Sequence, residues 1–292
     1  MCKKFISKIL IIFSVLFLFS PIAVRGVAHT CFAMPFYDLQ PENLVLRSSF
    51  FTSYSSSSLQ RKNNIILASK ALNNVLIDVN AEFSFNKTVG PRTEKRGYKN
   101  AKIIVNGAFK EGIGGGVCQV SSTLYNAVLL SGLKITEYHP HSLPVGYVSL
   151  SFDAMVNSGS ADLRFVNNTN NPIYIKSYAD LNTIKIEIYG QPMREKYSRK
   201  SEIIEQISPT ETEIIKDNLE EYPELKLGEQ RVLSYGKCGF RSKGYLIKSI
   251  DGKIISKKHI RTDFYKPTKT IIIEGMADIV EENLPTERAE ES

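Results

Sequence analysis

The chain has 292 residues, of which 42% are apolar and 23% charged, with a formal net charge of +7 at pH 7. This composition excludes a disordered chain and leaves room for two domains with ordinary cores. The basic residues are scattered apart from Lys87, Arg92, Lys95, Arg96, Lys99 and Lys102, so no nucleic-acid partner is expected. A basic surface suits anionic envelope polymers or lipid headgroups equally well.

At the N-terminus, Lys3, Lys4 and Lys8 precede an apolar run from Ile9 to Val24. This is the layout of a signal peptide or membrane anchor over residues 1–33, ending near Cys31-Phe32-Ala33. The run falls short of the roughly 20 residues a bilayer span needs, which favours a cleaved signal and an extracytoplasmic protein. Residues 34–60 are rich in Ser and aromatic side chains and read as a linker. Ile65, Ile66, Ala68, Leu72, Val75 and Leu76 then predict a helix over Leu59 to Ile77. Phe83 and Phe85 alternate with Ser84 as in a short strand, and Ile103-Ile104-Val105 reads as a strand returning through an Asn106-Gly107 turn.

Gly112, Gly114, Gly115 and Gly116 mark a tight turn that a ligand can approach closely. Val120, Leu124, Ala127, Val128 and Ser131 follow at helical spacing and Gly132 supplies a stop, which predicts a helix from Cys118 to about Ser131. Cys118 falls in its first turn. There the unpaired N–H groups and the positive end of the macrodipole favour a thiolate, the form that attacks carbonyls. Cys118 is therefore the candidate nucleophile, with Gly115, Gly116, Gln119, Ser121, Ser122 and the nearby Arg92 as candidate substrate contacts. A disulfide between Cys118 and Cys238 is the structural alternative.

A cysteine nucleophile needs a base, and His139 or His141 in His139-Pro140-His141 can serve. Asp153 is the candidate third member, orienting the imidazole. A metal site would need at least one more ligand, so no metal or other cofactor is expected. Leu163, Phe165, Ile173, Ile175, Ile184, Ile186 and Ile188 predict antiparallel strands with one wet face. The fold class is α+β, with the nucleophile on a helix and the base on strands behind it. Beyond Gly190-Gln191-Pro192, recurrent glycines punctuate β-prone runs, Cys238 reads as a small buried residue, and residues 277–292 form an acidic tail expected to be disordered.

Phe83-Ser84-Phe85-Asn86, Val89-Gly90-Pro91-Arg92-Thr93, Arg96-Gly97-Tyr98, Gly114 through Asn126, Glu137 through Leu143 and Asp162 through Ile175 together closely resemble the VanW family. These are bacterial envelope proteins first associated with a vancomycin-resistance cluster. The resemblance implies a VanW-like catalytic domain over 61–192. Residues 193–276 resemble a G-five domain, a small all-β module, which implies binding to cell-wall glycan. Some VanW members look like L,D-transpeptidases that use the motif cysteine to cross-link peptidoglycan. Carried onto this chain, that role falls on Cys118, with peptidoglycan stem peptides as partners and the N-terminal segment as a membrane contact. The Ser149-Leu150-Ser151-Phe152 run ahead of Asp153 departs from the Pro- and Gly-containing segment of many members. The alternative is a non-catalytic wall-binding or accessory resistance protein whose cysteine is structural.

Overall fold

The computed structural model describes residues 44–105, 107–217 and 221–276. The expected leader, residues 34–43 of the expected linker and the acidic tail lie outside the described residues. In chain order the fold holds β1 (Val45–Ser53), α1 (Leu59–Leu72), β2 (Val75–Ile77), β3 (Glu82–Ser84), α2 (Phe85–Val89), β4 (Asn100–Val105), β5 (Ala108–Ile113), α3 (Val117–Leu130), β6 (Lys134–Glu137), β7 (Arg164–Val166), β8 (Ile173–Ala179) and β9 (Thr183–Gly190). After Gly190 the regular elements among the described residues are all strands: β10 (Glu195–Ile207), β11 (Thr212–Lys216), β12 (Gln230–Ser234), β13 (Gly239–Ile250), β14 (Lys253–Tyr265) and β15 (Thr270–Glu274).

The main sheet is antiparallel in the order β1-β9-β8-β2. Residues 45–53 are therefore a strand, not linker. Two of the side chains that suggested a polar tether, Ser48 and Thr52, turn inward, while Ser49 and Ser53 stay exposed. Ser48 Oγ donates to the Ala127 carbonyl at 2.7 Å and Thr52 Oγ1 meets Thr123 Oγ1 at 2.9 Å. The expected wet face of the sheet is partial, since Lys176 and Glu187 on it are buried.

Ser58 caps α1 by accepting from the Arg61 N–H, and the helix stops earlier than its apolar period implies. Asn74 takes a left-handed φ of 64°, so Val75 and Leu76 leave the helix to pair with β8. Similarly, Phe83 lies in β3, stacked on Phe165 at 4.8 Å, while Ser84 caps a short helix that begins at Phe85.

The centre of the fold is α3, which is buried around most of its circumference. Val120, Leu124, Ala127 and Val128 pack into the apolar core with Ile65, Leu72, Ile184 and Ile186. Its other faces carry Ser121, Ser122, Thr123 and Asn126, all fully buried. Such groups are tolerated inside only when hydrogen-bonded, and their partners define the site described below.

The C-terminal part forms two three-stranded sheets, β10-β13-β14 and β11-β15-β12, with β11 parallel to β15. Cys118 and Cys238 are both free thiols. Cys238 is not packed as an apolar core residue: it is partly exposed and accepts from Gln206 Nε2 at 3.3 Å.

The turn before α3 is held by close backbone contact with β4. A methyl added at Gly115 would lie 2.6 Å from the Ala101 carbonyl oxygen and 2.7 Å from that of Lys102. Gly115→Ala is expected to lower urea stability by about 1–3 kcal/mol. Gly146→Ala, where an added methyl meets nothing within 4 Å, is expected to stay within about 0.5 kcal/mol.

Candidate active site

Gly114 and Gly116 adopt φ of 87° and 109°, a backbone region that L side chains rarely enter. These conformations fold the chain abruptly from β5 into α3, whose second residue is Cys118. No acidic residue sits in the first turn of α3. The Cys118 thiol donates to the Val156 carbonyl at 3.3 Å and lies within hydrogen-bonding reach of His141.

His141 is buried and its ring is gripped from one side. Asp153 Oδ2 accepts both the His141 backbone N–H and Nδ1, each at 2.7 Å. That grip turns Nε2 toward the thiol. His139 is not part of the cluster, because its Nε2 bonds Glu137 Oε1 at 3.0 Å on a partly exposed face. Neither histidine lies on a strand. Residues 138–163, with Pro140, Pro144 and Gly146, carry no regular element, so the expected base on strands gives way to a coil that packs on α3.

The buried polar side chains of α3 hold that coil. Ser121 Oγ donates to the Ala154 carbonyl at 2.5 Å, Ser122 Oγ accepts from the Ala154 N–H at 2.9 Å, and Asn126 Nδ2 donates to the Phe152 carbonyl at 2.8 Å. Ser121 and Ser122, expected to touch substrate, are thus fully buried struts that fix Asp153 between its neighbours. Gln119 is likewise internal, bonding Thr52, Ser53 and Arg61. Gly115 and Gly116 act through backbone shape, while Arg92 lines the cavity beside the thiol and bonds Asn86 Oδ1 at 2.6 Å.

The electrostatics of the three groups are coupled. Burial pushes the Cys118 thiol up, but the hydrogen bond and charge of His141, together with Arg92, bring it below its ordinary value. Burial pulls His141 down, yet Asp153 and Cys118 outweigh it and raise the imidazole to about 9. Burial also opposes ionisation of Asp153, and His141, Arg261 and Tyr265 overcome it, so the carboxylate stays charged. The two shifts run in opposite directions, the thiol down and the imidazole up, so the arrangement favours the thiolate–imidazolium pair more than two separate side chains would.

The family described as VanW like protein matches residues 60–189, and the G5 domain matches residues 200–276. The chain carries a VanW-like domain followed by a G5 domain. The uncharacterized protein YoaR of Bacillus subtilis is 43% identical over 151 residues, covering 52% of this chain and 50% of that protein. The vancomycin B-type resistance protein VanW of Enterococcus faecalis is 32% identical over 111 residues, covering 36% of this chain and 40% of that protein. The chain thus spans half or less of the length of these relatives. Two solved structures are similar to the C-terminal part: the G5 domain of HP0197 (22% identity, 27% of this chain, 99% of that chain, TM-score 0.15) and the IgA1 protease G5 domain (24%, 30%, 99%, 0.18).

The G5 domain reaches the site. Tyr265, at the end of β14, donates its hydroxyl to Asp153 Oδ1 at 2.6 Å and accepts from the Ser151 N–H at 2.8 Å. Arg261 Nη1 donates to the Asp153 carbonyl at 2.7 Å, and its Nη2 lies 3.5 Å from Asp153 Oδ1. Sequence reading missed both residues, since neither belongs to a motif near Cys118 in the chain. A groove of about 1290 Å³ opens over the thiol. The VanW-like domain lines it with Arg61, Arg92, Lys102, Glu111 and Tyr147, and the G5 domain adds Phe264 and Lys266. Among the described residues no group of three or more His, Cys, Asp or Glu side chains converges on a metal position, and no helix is long and apolar enough to cross a membrane.

His141→Ala is expected to move the pH midpoint of Cys118 alkylation by iodoacetamide up toward the free-thiol value of about 8.5. His139→Ala is expected to leave it in place. Equal shifts in the two variants would contradict the assignment of His141.

Proposed function

We propose that this is a cell-wall-associated acyl transferase of the L,D-transpeptidase type, with Cys118 as nucleophile, His141 as general acid and base, and Asp153 holding the imidazole. The observation that carries the reading is the buried, hydrogen-bonded His141–Asp153 pair set beside the Cys118 thiol and opening on one large basic groove. The VanW-like and G5 domains support the wall association. Arg61, Arg92, Lys102 and Lys266 outnumber the single lining carboxylate Glu111, which suits a peptide bearing free carboxylates, such as a stem peptide.

In this reading the Cys118 thiolate attacks the carbonyl that precedes the terminal D-residue of a donor stem, forming a C–S bond and a tetrahedral oxyanion. The Val117 and Gln119 N–H groups are already bonded to Gly114 and Gly116 carbonyls. The Cys118 N–H has no hydrogen-bond partner among the described residues and serves the oxyanion. His141 then gives its Nε2 proton to the leaving amine as the C–N bond breaks, leaving a thioester and a neutral imidazole. An acceptor side-chain amine attacks the thioester and loses its proton to His141, which restores the thiolate and imidazolium. Water in place of the amine makes the reaction a carboxypeptidation.

Incubation with a disaccharide-tetrapeptide should yield an acyl adduct at Cys118 by intact mass and new cross-linked dimers, both absent in Cys118→Ala. The rate should be bell-shaped in pH, rising below the free-thiol range as the thiolate forms and falling as His141 loses its proton near pH 9. An unreactive thiol in a protein that still binds wall would favour a non-catalytic accessory protein instead.

A further inference from the structure

The third member of the array is held from two domains. Within the VanW-like domain, Asp153 is fixed through its backbone neighbours and through His141. Its second carboxylate oxygen faces the G5 domain and meets Tyr265 and Arg261 there. Arg261 is 3% exposed and makes three further contacts: its Nε bonds Asp263 Oδ2 at 2.7 Å, and its guanidinium lies 4.5 Å and 5.6 Å from the ring centres of Tyr138 and Tyr125. Ser242 of β13 bonds Ser151 side chain to side chain at 2.7 Å, and a methyl on Gly244 would sit 3.0 Å from the Ser151 carbonyl. Ser151 itself has a φ of 63°, so the turn delivering Asp153 is an unfavourable conformation maintained by contacts from β13 and β14. Arg199 of β10 backs the same coil, with its guanidinium 4.8 Å from the Phe152 ring and bonded to Asn126.

We propose that Arg261 and Tyr265 of the G5 domain are positioning residues for the Cys118–His141–Asp153 array, so that a docked G5 domain is a condition for an activated thiol. This rests on the array proposed above. The chemistry behind it is geometric. A buried carboxylate with both oxygens bonded has one orientation, and that orientation sets the imidazole ring and the reach of Nε2 to sulfur. With the G5 contacts removed, Asp153 is free to rotate or take water, and His141 loses its fixed partner. The G5 domain then has two roles, holding wall and completing the reactive site. Its own groove-lining residues, Phe264 and Lys266, continue the strand end that bears Tyr265.

The groups facing the array are Arg61 of α1, Arg92 after α2, Tyr125 of α3, Tyr138 and Tyr147 of the coil, and Arg261, Asp263 and Tyr265 of β14. Arg261→Met removes a cation beside Asp153, and by charge alone this also disfavours nearby anions, the thiolate included. Tyr265→Phe changes no charge, so an upward shift of the thiol profile in that variant reports loss of positioning alone.

The test is the pH profile of Cys118 alkylation in the full chain, alongside thermal stability. In Arg261→Met the midpoint should rise and the rate at pH 7 should fall by about tenfold or more, the loss expected when a thiol returns toward its unperturbed value. Tyr265→Phe should shift the profile in the same direction, and Arg261→Lys should recover part of the rate. Tyr197→Ala removes a ring that abuts Gly132 at the far end of α3 and should lower stability without moving the profile. A profile that stays in place or moves down in folded Arg261→Met and Tyr265→Phe would overturn the proposal. So would an equal upward shift in Tyr197→Ala. A wild-type profile already in the free-thiol range would instead remove the array itself.

Discussion

The structure depends on where one carboxylate can be buried. Asp153 is 1% exposed, and an unpaired charge at that depth is strongly unfavourable. It is stable as an anion because His141 from the coil and Tyr265 and Arg261 from β14 surround it. Breaking such a buried pair by deleting one partner typically costs about 3–5 kcal/mol. The fold therefore gathers its coil, its central helix and its second domain around this group. The same contacts orient the imidazole toward Cys118.

The central helix shows how the constraint is met. An amphipathic helix presents one apolar stripe, but α3 is buried on most sides and uses its polar residues as fittings. Ser121, Ser122 and Asn126 satisfy the backbone of Phe152 and Ala154, a coil that has no strand partner to do so. Gly114 and Gly116 set the helix start, and close packing of Gly115 against β4 leaves the thiol at the open end. Nucleophile, struts and core residues thus share fourteen residues of helix.

Much of this was legible in the sequence because it is local. The glycine run, the helix after it, the β4–β5 hairpin and the all-β C-terminal part follow from turn chemistry and hydrophobic period. The choice between His139 and His141 was not legible, since two residues in an irregular segment can face opposite ways. Ser48 and Thr52 read as linker because their partners, Ala127 and Thr123, lie more than seventy positions away. Ser121 and Ser122 read as substrate contacts because exposure of polar groups is the default expectation. The unusual Ser149-to-Phe152 run weakened the case for Asp153 until its partners in β13 and β14 were visible. Arg261 and Tyr265 carry no local signal at all, since their role exists only once the two domains pack.

The measurement that tests the account most directly is a nitrogen-15 histidine NMR titration of the wild-type chain, reading the protonation state of the His141 ring. The account predicts an imidazolium at pH 7.5 that loses its proton only near pH 9, held between the Cys118 thiolate and Asp153. A neutral His141 at pH 7.5, titrating near the ordinary value of about 6.5, would contradict it.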